Sequence, residues 1–246
     1  MKKITWLQRN ALAQGLSLYQ KYEHFTIPAL EETNSCRVIG VTGIAAAGKS
    51  TLINPLMKEF RKKDITIAAL LIDPSSEDGS ALLADRNELR DSELDLDEGL
   101  FIHSFATRGA KSALTVALPK MIGFTKHFVD IVIIETAGAG QTDVEIESYV
   151  DTLLQVLAPL GGALTLEKAG QNEKAHIFAV NERESFTNTK QFFALAEIEL
   201  GQKTDVNGWI KKVFLVNALE KKGIAELIEG LRAHKEFLES NKPAKL

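Results

Sequence analysis

The chain has 246 residues, of which 45% are hydrophobic and 25% charged, enough apolar side chains for one large buried core. A formal net charge of −4 argues against a nucleic-acid partner, which calls for a basic excess, and the single cysteine, Cys36, excludes an internal disulfide or a cysteine-rich metal site. The longest apolar run, residues 65–72, is far too short to span a bilayer, and the first residues lead into neither an apolar leader core nor an Arg/Ser-rich presequence, so no membrane association is expected and the cytoplasm is the expected address.

Residues 4–23 are predicted to form a helix, with Leu7, Leu12, Leu16 and Tyr19 near helical spacing. A looser stretch follows, carrying Pro28 and a polar run from Glu31 to Ser35, and is read as a hinge. Strands and helices then alternate. Residues 37–42 are predicted as a strand, Lys49 onward as a helix, and 65–72 as a strand. The acidic run 91–98 is expected to be a solvated loop. Residues 110–128 are predicted helical, 130–135 a continuous apolar strand, and 144–156 helical. Residues 176–180 and 212–217 are two further strands, and Ile224, Leu227, Ile228, Leu231 and Leu238 line one face of a last helix. Near-continuous apolar strands separated by helices imply a doubly wound, mostly parallel α/β sheet covered on both faces. The expected organisation is a helical segment and hinge over residues 1–35, a nucleotide-binding domain over 36–240, and a short tail over 241–246. Cys36 is expected to be a buried small side chain.

The chemistry concentrates first in Gly43-Ile44-Ala45-Ala46-Ala47-Gly48-Lys49-Ser50, which matches G-x-x-x-x-G-K-[ST] and stands between an apolar strand and a helix, as a phosphate-binding P-loop requires. In such a loop the backbone N–H groups and the helix N-terminus converge on phosphate. Gly43 and Gly48 permit backbone angles and a close approach that a Cβ would block. Lys49 reaches the β- and γ-phosphates, and the Ser50 hydroxyl ligates Mg²⁺. Pro55, about two turns into the helix, removes a hydrogen bond to the Thr51 carbonyl and predicts a kink. The second signal is the strand that ends at Glu135, followed by Thr136-Ala137-Gly138: in P-loop proteins an acid here supports Mg²⁺ and the glycine N–H senses the γ-phosphate.

Several further segments accompany these two. They are Leu71-Ile72-Asp73-Pro74-Ser75-Ser76, Gly79-Ser80, Asp85-Arg86, Phe101-Ile102-His103-Ser104, Ala106-Thr107-Arg108-Gly109, and Glu135 through Gln141. Together they resemble the MeaB/ArgK/MMAA family, the SIMIBI-class GTPases that chaperone adenosylcobalamin-dependent methylmalonyl-CoA mutase. Arg9-Asn10-Ala11-Leu12-Ala13 resembles the family's N-terminal helix, and Asn217-Ala218-Leu219-Glu220 with Gly223 its last G-motif. The resemblance implies GTP or GDP with Mg²⁺ as the bound species. It places Asp73 and Asp85 in the first switch, with Asp73 approaching Mg²⁺ beside Ser50 and Glu135. It makes Gly138 a γ-phosphate contact. Gln141 either orients the attacking water or packs the switch. Nucleotide contacts are implied for Gly43, Ala45, Ala46, Ala47, Gly48, Lys49, Ser50, Thr51, Gly138, Asn181, Glu184, Asn217 and Ala218, and catalytic roles for Lys49, Asp73, Glu135 and Gln141. The implied partner is an adenosylcobalamin-dependent acyl-CoA mutase or its cobalamin-binding subunit.

The sequence also departs from the family's pattern. Guanine is normally read by N-K-x-D, but the corresponding stretch is Asn181-Glu182-Arg183-Glu184, with Glu182 in place of the lysine and the longer Glu184 in place of the aspartate. Gly161-Gly162-Ala163-Leu164 lacks the acids of the family's third switch. Glu88 and His103 stand where the family has arginines, Lys111 and Ser112 where it has glycines, and the C-terminal extension is largely missing after Glu239. A non-hydrolysing, nucleotide-dependent scaffold is the alternative these departures favour. A nickel-insertion GTPase of the HypB/UreG type would need Cys/His ligands, whereas this chain has one cysteine and five histidines scattered along it. A small-molecule P-loop kinase would need an acceptor-activating acid that no motif supplies.

Overall fold

The computed structural model describes residues 1–22, 25, 36–73, 94, 96–106, 111–136, 146–159, 169–184 and 188–241. In chain order the elements are α1 (Trp6–Lys21), β1 (Arg37–Thr42), α2 (Lys49–Lys62), β2 (Ile67–Asp73), β3 (Leu100–Ala106), α3 (Lys111–Thr125), β4 (Ile131–Glu135), β5 (Thr152–Leu157), α4 (Ala169–Lys174), β6 (Ile177–Asn181), α5 (Thr189–Glu199), β7 (Lys212–Val216) and α6 (Ile224–Ser240). The seven strands form one sheet in the order β3-β2-β4-β1-β5-β6-β7, and every neighbouring pair is parallel. Among the described residues no helix is long and apolar enough to cross a membrane.

Side chains alternate across each strand and so feed two cores. In β2, Ala68, Leu70 and Ile72 face the same core as Leu12 and Leu16 of α1, Met121 of α3 and Phe192 of α5. Ile67, Ala69 and Leu71 face the opposite core, with Leu52 and Leu56 of α2 and Leu227 and Leu231 of α6. Helices therefore cover both faces, and the doubly wound expectation holds.

The element boundaries have local causes. Thr5 caps α1 in a reciprocal box with Gln8, accepting the Gln8 N–H at 3.3 Å while the Gln8 side chain accepts the Thr5 N–H at 2.8 Å, so the helix starts two residues later than its periodicity predicts. Leu7 is exposed, and the buried stripe is Leu12, Leu16 and Tyr19. Asp130 stays outside β4 because its carboxylate accepts both the N–H and the hydroxyl of Thr66, each at 2.8 Å.

One expectation is overturned. The helix expected over 144–156 is not found in its described part, residues 146–156: a single 3-10 turn, Ile146–Tyr149, precedes β5, all of whose residues are buried. A strand buried on both faces shows no period-2 alternation, so its apolar run cannot be told from a buried helix by pattern. Asp151 sets the start of β5 against β1 by accepting the Val38 N–H at 2.7 Å. The acidic run also holds a surprise in Asp97. Its carboxylate takes the Nε–H of buried Arg61 at 2.9 and 3.0 Å, and Arg61 also donates to the carbonyls of Ile65 and Lys2. Burial alone would raise the Asp97 carboxyl, but Arg61 and the Gly99 N–H hold it below the usual carboxylate range. Cys36 is half-buried rather than buried, and burial pushes its thiol up to about 12, which makes it inert at neutral pH.

Candidate functional site

The site lies at the C-terminal edge of the sheet, where open parallel sheets bind ligands. The loop 43–48 leaves β1 there and turns directly into α2. Two glycines make the turn possible. Gly43 has φ +139°, and a Cβ on it would lie 2.3 Å from the Val156 carbonyl of neighbouring β5. Gly48 has φ +93°, and a Cβ on it would lie 2.3 Å from both Asn181 Nδ2 and Arg183 Nη2. Ala46 also takes positive φ, at 64°, a conformation L-residues rarely adopt outside tight functional turns. Ala45 and Ala46 are exposed at the loop's crest, while Ala47 and Gly48 are buried beneath it.

Gly48 is the N-cap residue of α2 and provides no side-chain cap, so the first-turn N–H groups point out of the helix at its positive end. Lys49 arches back over the loop, its Nζ donating to the carbonyls of Gly43 at 2.9 Å and Ile44 at 3.1 Å. The ammonium therefore sits at the loop mouth, held by acceptors that a phosphate oxygen can replace. Beside it, Ser50 Oγ donates to Glu135 Oε1 at 2.7 Å. Glu135 ends β4, in register with Val41 of β1, and is 2% exposed. A buried carboxylate and a hydroxyl in contact are hard oxygen donors of the kind Mg²⁺ takes, so these residues fit that ion.

A second group frames the loop from the other half of the sheet. Asn181 ends β6 and is fully buried. Its Nδ2 donates to the Ala47 carbonyl at 3.0 Å, and its Oδ1 accepts the Ala218 N–H at 3.3 Å. Asn217 closes the loop after β7, exchanging backbone hydrogen bonds with Lys222 at 2.9 and 3.1 Å and accepting the Glu220 N–H on its side chain. Glu184 is exposed and lines a cavity of about 580 Å³ with Glu182, Arg183, Asn188, Asn217 and Lys222. The structure thus brings residues 43–51, Glu135, Asn181, Asn217 and Ala218 to one edge, with Glu184 at its rim. Asp73 ends β2 opposite Ala106, at the same edge of the sheet. Asp85, Glu88, Gly138, Gln141 and the stretch from Gly161 to Leu164 lie outside the described residues. Arg183 is the residue at this edge that sequence reasoning passed over. It occupies the unspecified position of N-K-x-D, and only its packing on Gly48 reveals it.

Far from this edge, at the N-terminal ends of the strands, two of the scattered histidines converge. One ring nitrogen of His176, one of His234 and a carboxylate oxygen of Asp205 all lie within 4.8 Å of one another. His176 Nδ1 accepts the Leu153 N–H at 2.9 Å, so the neutral ring carries its proton on Nε2, which faces Asp205 Oδ2 at 3.8 Å. A metal-ligating histidine instead donates from its second nitrogen. His234 is fully buried, with Nδ1 2.8 Å from Thr152 Oγ1, itself the acceptor of an Arg37 hydrogen bond at 2.6 Å. This is a buried polar network in which desolvation keeps both rings neutral. It lowers His176 and takes His234 down to about 3.

Comparison with known proteins agrees with this geometry. The family described as methylmalonyl Co-A mutase-associated GTPase MeaB matches residues 20–245. A GTPase of Pyrococcus horikoshii is 36% identical over 242 residues, which are 95% of this chain and 76% of that protein. A fused isobutyryl-CoA mutase of Cupriavidus metallidurans is 40% identical over 184 residues, covering 70% of this chain but only 17% of the mutase. Among solved structures, an LAO/AO transport system kinase superposes with a TM-score of 0.74 at 23% identity, covering 96% of this chain and 73% of that one, which shows a common fold.

Proposed function

The chain belongs to the MeaB family of methylmalonyl-CoA mutase-associated GTPases, and on that premise we propose that it is a GTP-hydrolysing chaperone gating cofactor loading or protection of an adenosylcobalamin-dependent acyl-CoA mutase. The observation that carries the nucleotide half of this reading is the contact of Ser50 with buried Glu135 beside the arched Lys49. The partner half is supported by the fused isobutyryl-CoA mutase, one chain that carries a segment similar to this protein.

Each residue then has a task. The N–H groups of residues 45–51 bind phosphate oxygens at the helix N-terminus. Lys49 exchanges its loop carbonyls for the β- and γ-phosphates and stabilises charge that spreads over the transferring group. Ser50 and Glu135, joined by Asp73 when the first switch closes, would hold Mg²⁺, which when bound supplies charge neutralisation of the phosphate oxygens. Gly138 contacts the γ-phosphate, and Gln141 orients the attacking water. Asn181 and the Ala218 N–H form the frame for the base, Asn217 shapes its loop, and the Glu184 carboxylate accepts from the guanine edge. The test is GTP turnover with and without a purified cobalamin-dependent acyl-CoA mutase. We expect slow turnover alone, faster turnover with the mutase, and none in Lys49→Ala. GTP that binds but is not hydrolysed in either setting would overturn the enzymatic reading in favour of a nucleotide-dependent scaffold.

A further inference from the structure

We infer that Arg183 is the cation that holds the purine of the bound nucleotide in this chain, in place of the lysine that position 182 lacks; the inference rests on the nucleotide-binding reading above. Glu182 cannot serve. Its backbone N–H is tied to the Val216 carbonyl, and its acidic side chain lies in the cavity with Lys222, whose ammonium is raised first by its bond to Glu220 and, more weakly, by Glu182.

Arg183, which borders the same cavity, reaches the P-loop. Its Nη2 donates to Thr51 Oγ1 at 3.0 Å, in the first turn of α2. The guanidinium covers Gly48 so closely that a Cβ there would lie 3.1 Å from Cζ. Arg183 also borders a second cavity of about 380 Å³, shared with Thr51, Ala218 and Leu219. Asn181 fixes this arrangement by tying the residue before the Glu182-Arg183 pair to both Ala47 and Ala218. The guanidinium is therefore placed between the loop that takes phosphates and the N–H that frames the base. A guanidinium is planar, and its face can stack on an aromatic ring while its edge donates hydrogen bonds. Stacking is indifferent to the ring's substituents, because every base has a π-face. Arg183 thus supplies affinity for a purine, and discrimination between guanine and adenine is left to Ala218 and Glu184.

The test compares wild type, Arg183→Ala and Arg183→Lys by calorimetry with GDP, IDP, ADP and inorganic tripolyphosphate. Arg183→Ala should weaken GDP and IDP about tenfold, from the loss of one cation–π contact, and ADP by the same factor, so the GDP:ADP ratio stays constant. Tripolyphosphate should bind as in wild type, and Arg183→Lys should recover part of the loss. Thr51→Val, which removes the anchor and leaves the guanidinium, should give a smaller loss of the same pattern. Circular dichroism melting confirms that each variant is folded. Unchanged GDP affinity in folded Arg183→Ala would overturn the inference, as would an equal loss of tripolyphosphate, since that would make Arg183 a phosphate contact. Wild type that binds tripolyphosphate but no purine nucleotide would overturn the nucleotide reading as well.

Discussion

Asn181 is the joint between the two halves of the candidate site, and its removal should cost both stability and affinity. The side chain is fully buried and bonds two main-chain groups, the carbonyl of Ala47 and the N–H of Ala218, which are themselves 0% and 5% exposed. Asn181→Ala leaves both buried groups without this partner. An unpaired buried polar group costs about 1–3 kcal/mol, so the pair should cost roughly 4 kcal/mol, a large share of the about 5–15 kcal/mol of a typical domain. Asn181→Asp separates the two bonds: it keeps an acceptor for Ala218 and sets a carboxylate against the Ala47 carbonyl, so it should be as destabilising despite its matching shape. Urea unfolding gives the stability, with a constant slope showing that the unfolded state is unchanged. Calorimetry with GDP gives the affinity, expected to fall at least tenfold as the loop 43–48 loses its tether. Stability within about 0.5 kcal/mol of wild type together with unchanged GDP binding would show that the joint is not a joint.

Other consequences follow from the same geometry. Lys49→Ala removes a charge-assisted contact worth about 1.5–3 kcal/mol and should lower GDP and GTP affinity about ten- to a hundredfold; a folded mutant that binds normally in calorimetry would remove Lys49 from the phosphate site. His234 should make the protein acid-sensitive. Its ring stays neutral in the fold until about pH 3, whereas an unfolded histidine protonates near pH 6.5, so the stability it contributes is present above 6.5 and is lost as pH falls through that window. The loss between pH 6.5 and 5 should be about 1–2 kcal/mol from this group, read by urea unfolding at the two pH values, and His234→Asn should flatten it; an equally steep loss in His234→Asn would refute the assignment. Glu182→Lys combined with Glu184→Asp should raise the preference for GDP over ADP in competition binding, and an unchanged ratio would show that residues 182–184 do not read the base edge.

The sequence carried the fold where its signals are local. The glycines at positions 43 and 48, with Lys49 and Ser50 between a strand and a helix, fix the P-loop because few backbones admit that pattern. Near-continuous apolar runs gave β1, β2, β4, β6 and β7, and helical spacing gave α6, to within a few residues. It failed at β5, whose run, rich in Leu and holding Gln155, has the helix propensity that the Val- and Ile-rich strands lack, and where an edge strand mixes polar residues among apolar ones, as in β3, whose central residues are half-exposed. The site was legible where a motif names its residues and illegible where two distant segments meet. The contact of Ser50 with Glu135 spans 85 positions and that of Asn181 with Ala47 spans 134. Arg183, at a position no motif specifies, has meaning only through its packing on Gly48 and Thr51. The same holds for His176 and His234, which stand far apart in the chain and stack with ring centroids 4.5 Å apart.

Control of a mutase partner by nucleotide state is the central consequence of the proposed function. The direct measurement is calorimetric titration of a purified adenosylcobalamin-dependent acyl-CoA mutase with this protein, loaded in turn with GDP and with a non-hydrolysable GTP analogue. If the switch segments order around the γ-phosphate, the two complexes differ in free energy, and by linkage the mutase must shift nucleotide affinity by the same amount. The account predicts binding in both states with affinities about five- to a hundredfold apart, the range of a typical coupling of about 1–3 kcal/mol. Equal affinity in the two states, or no binding in either, would contradict it.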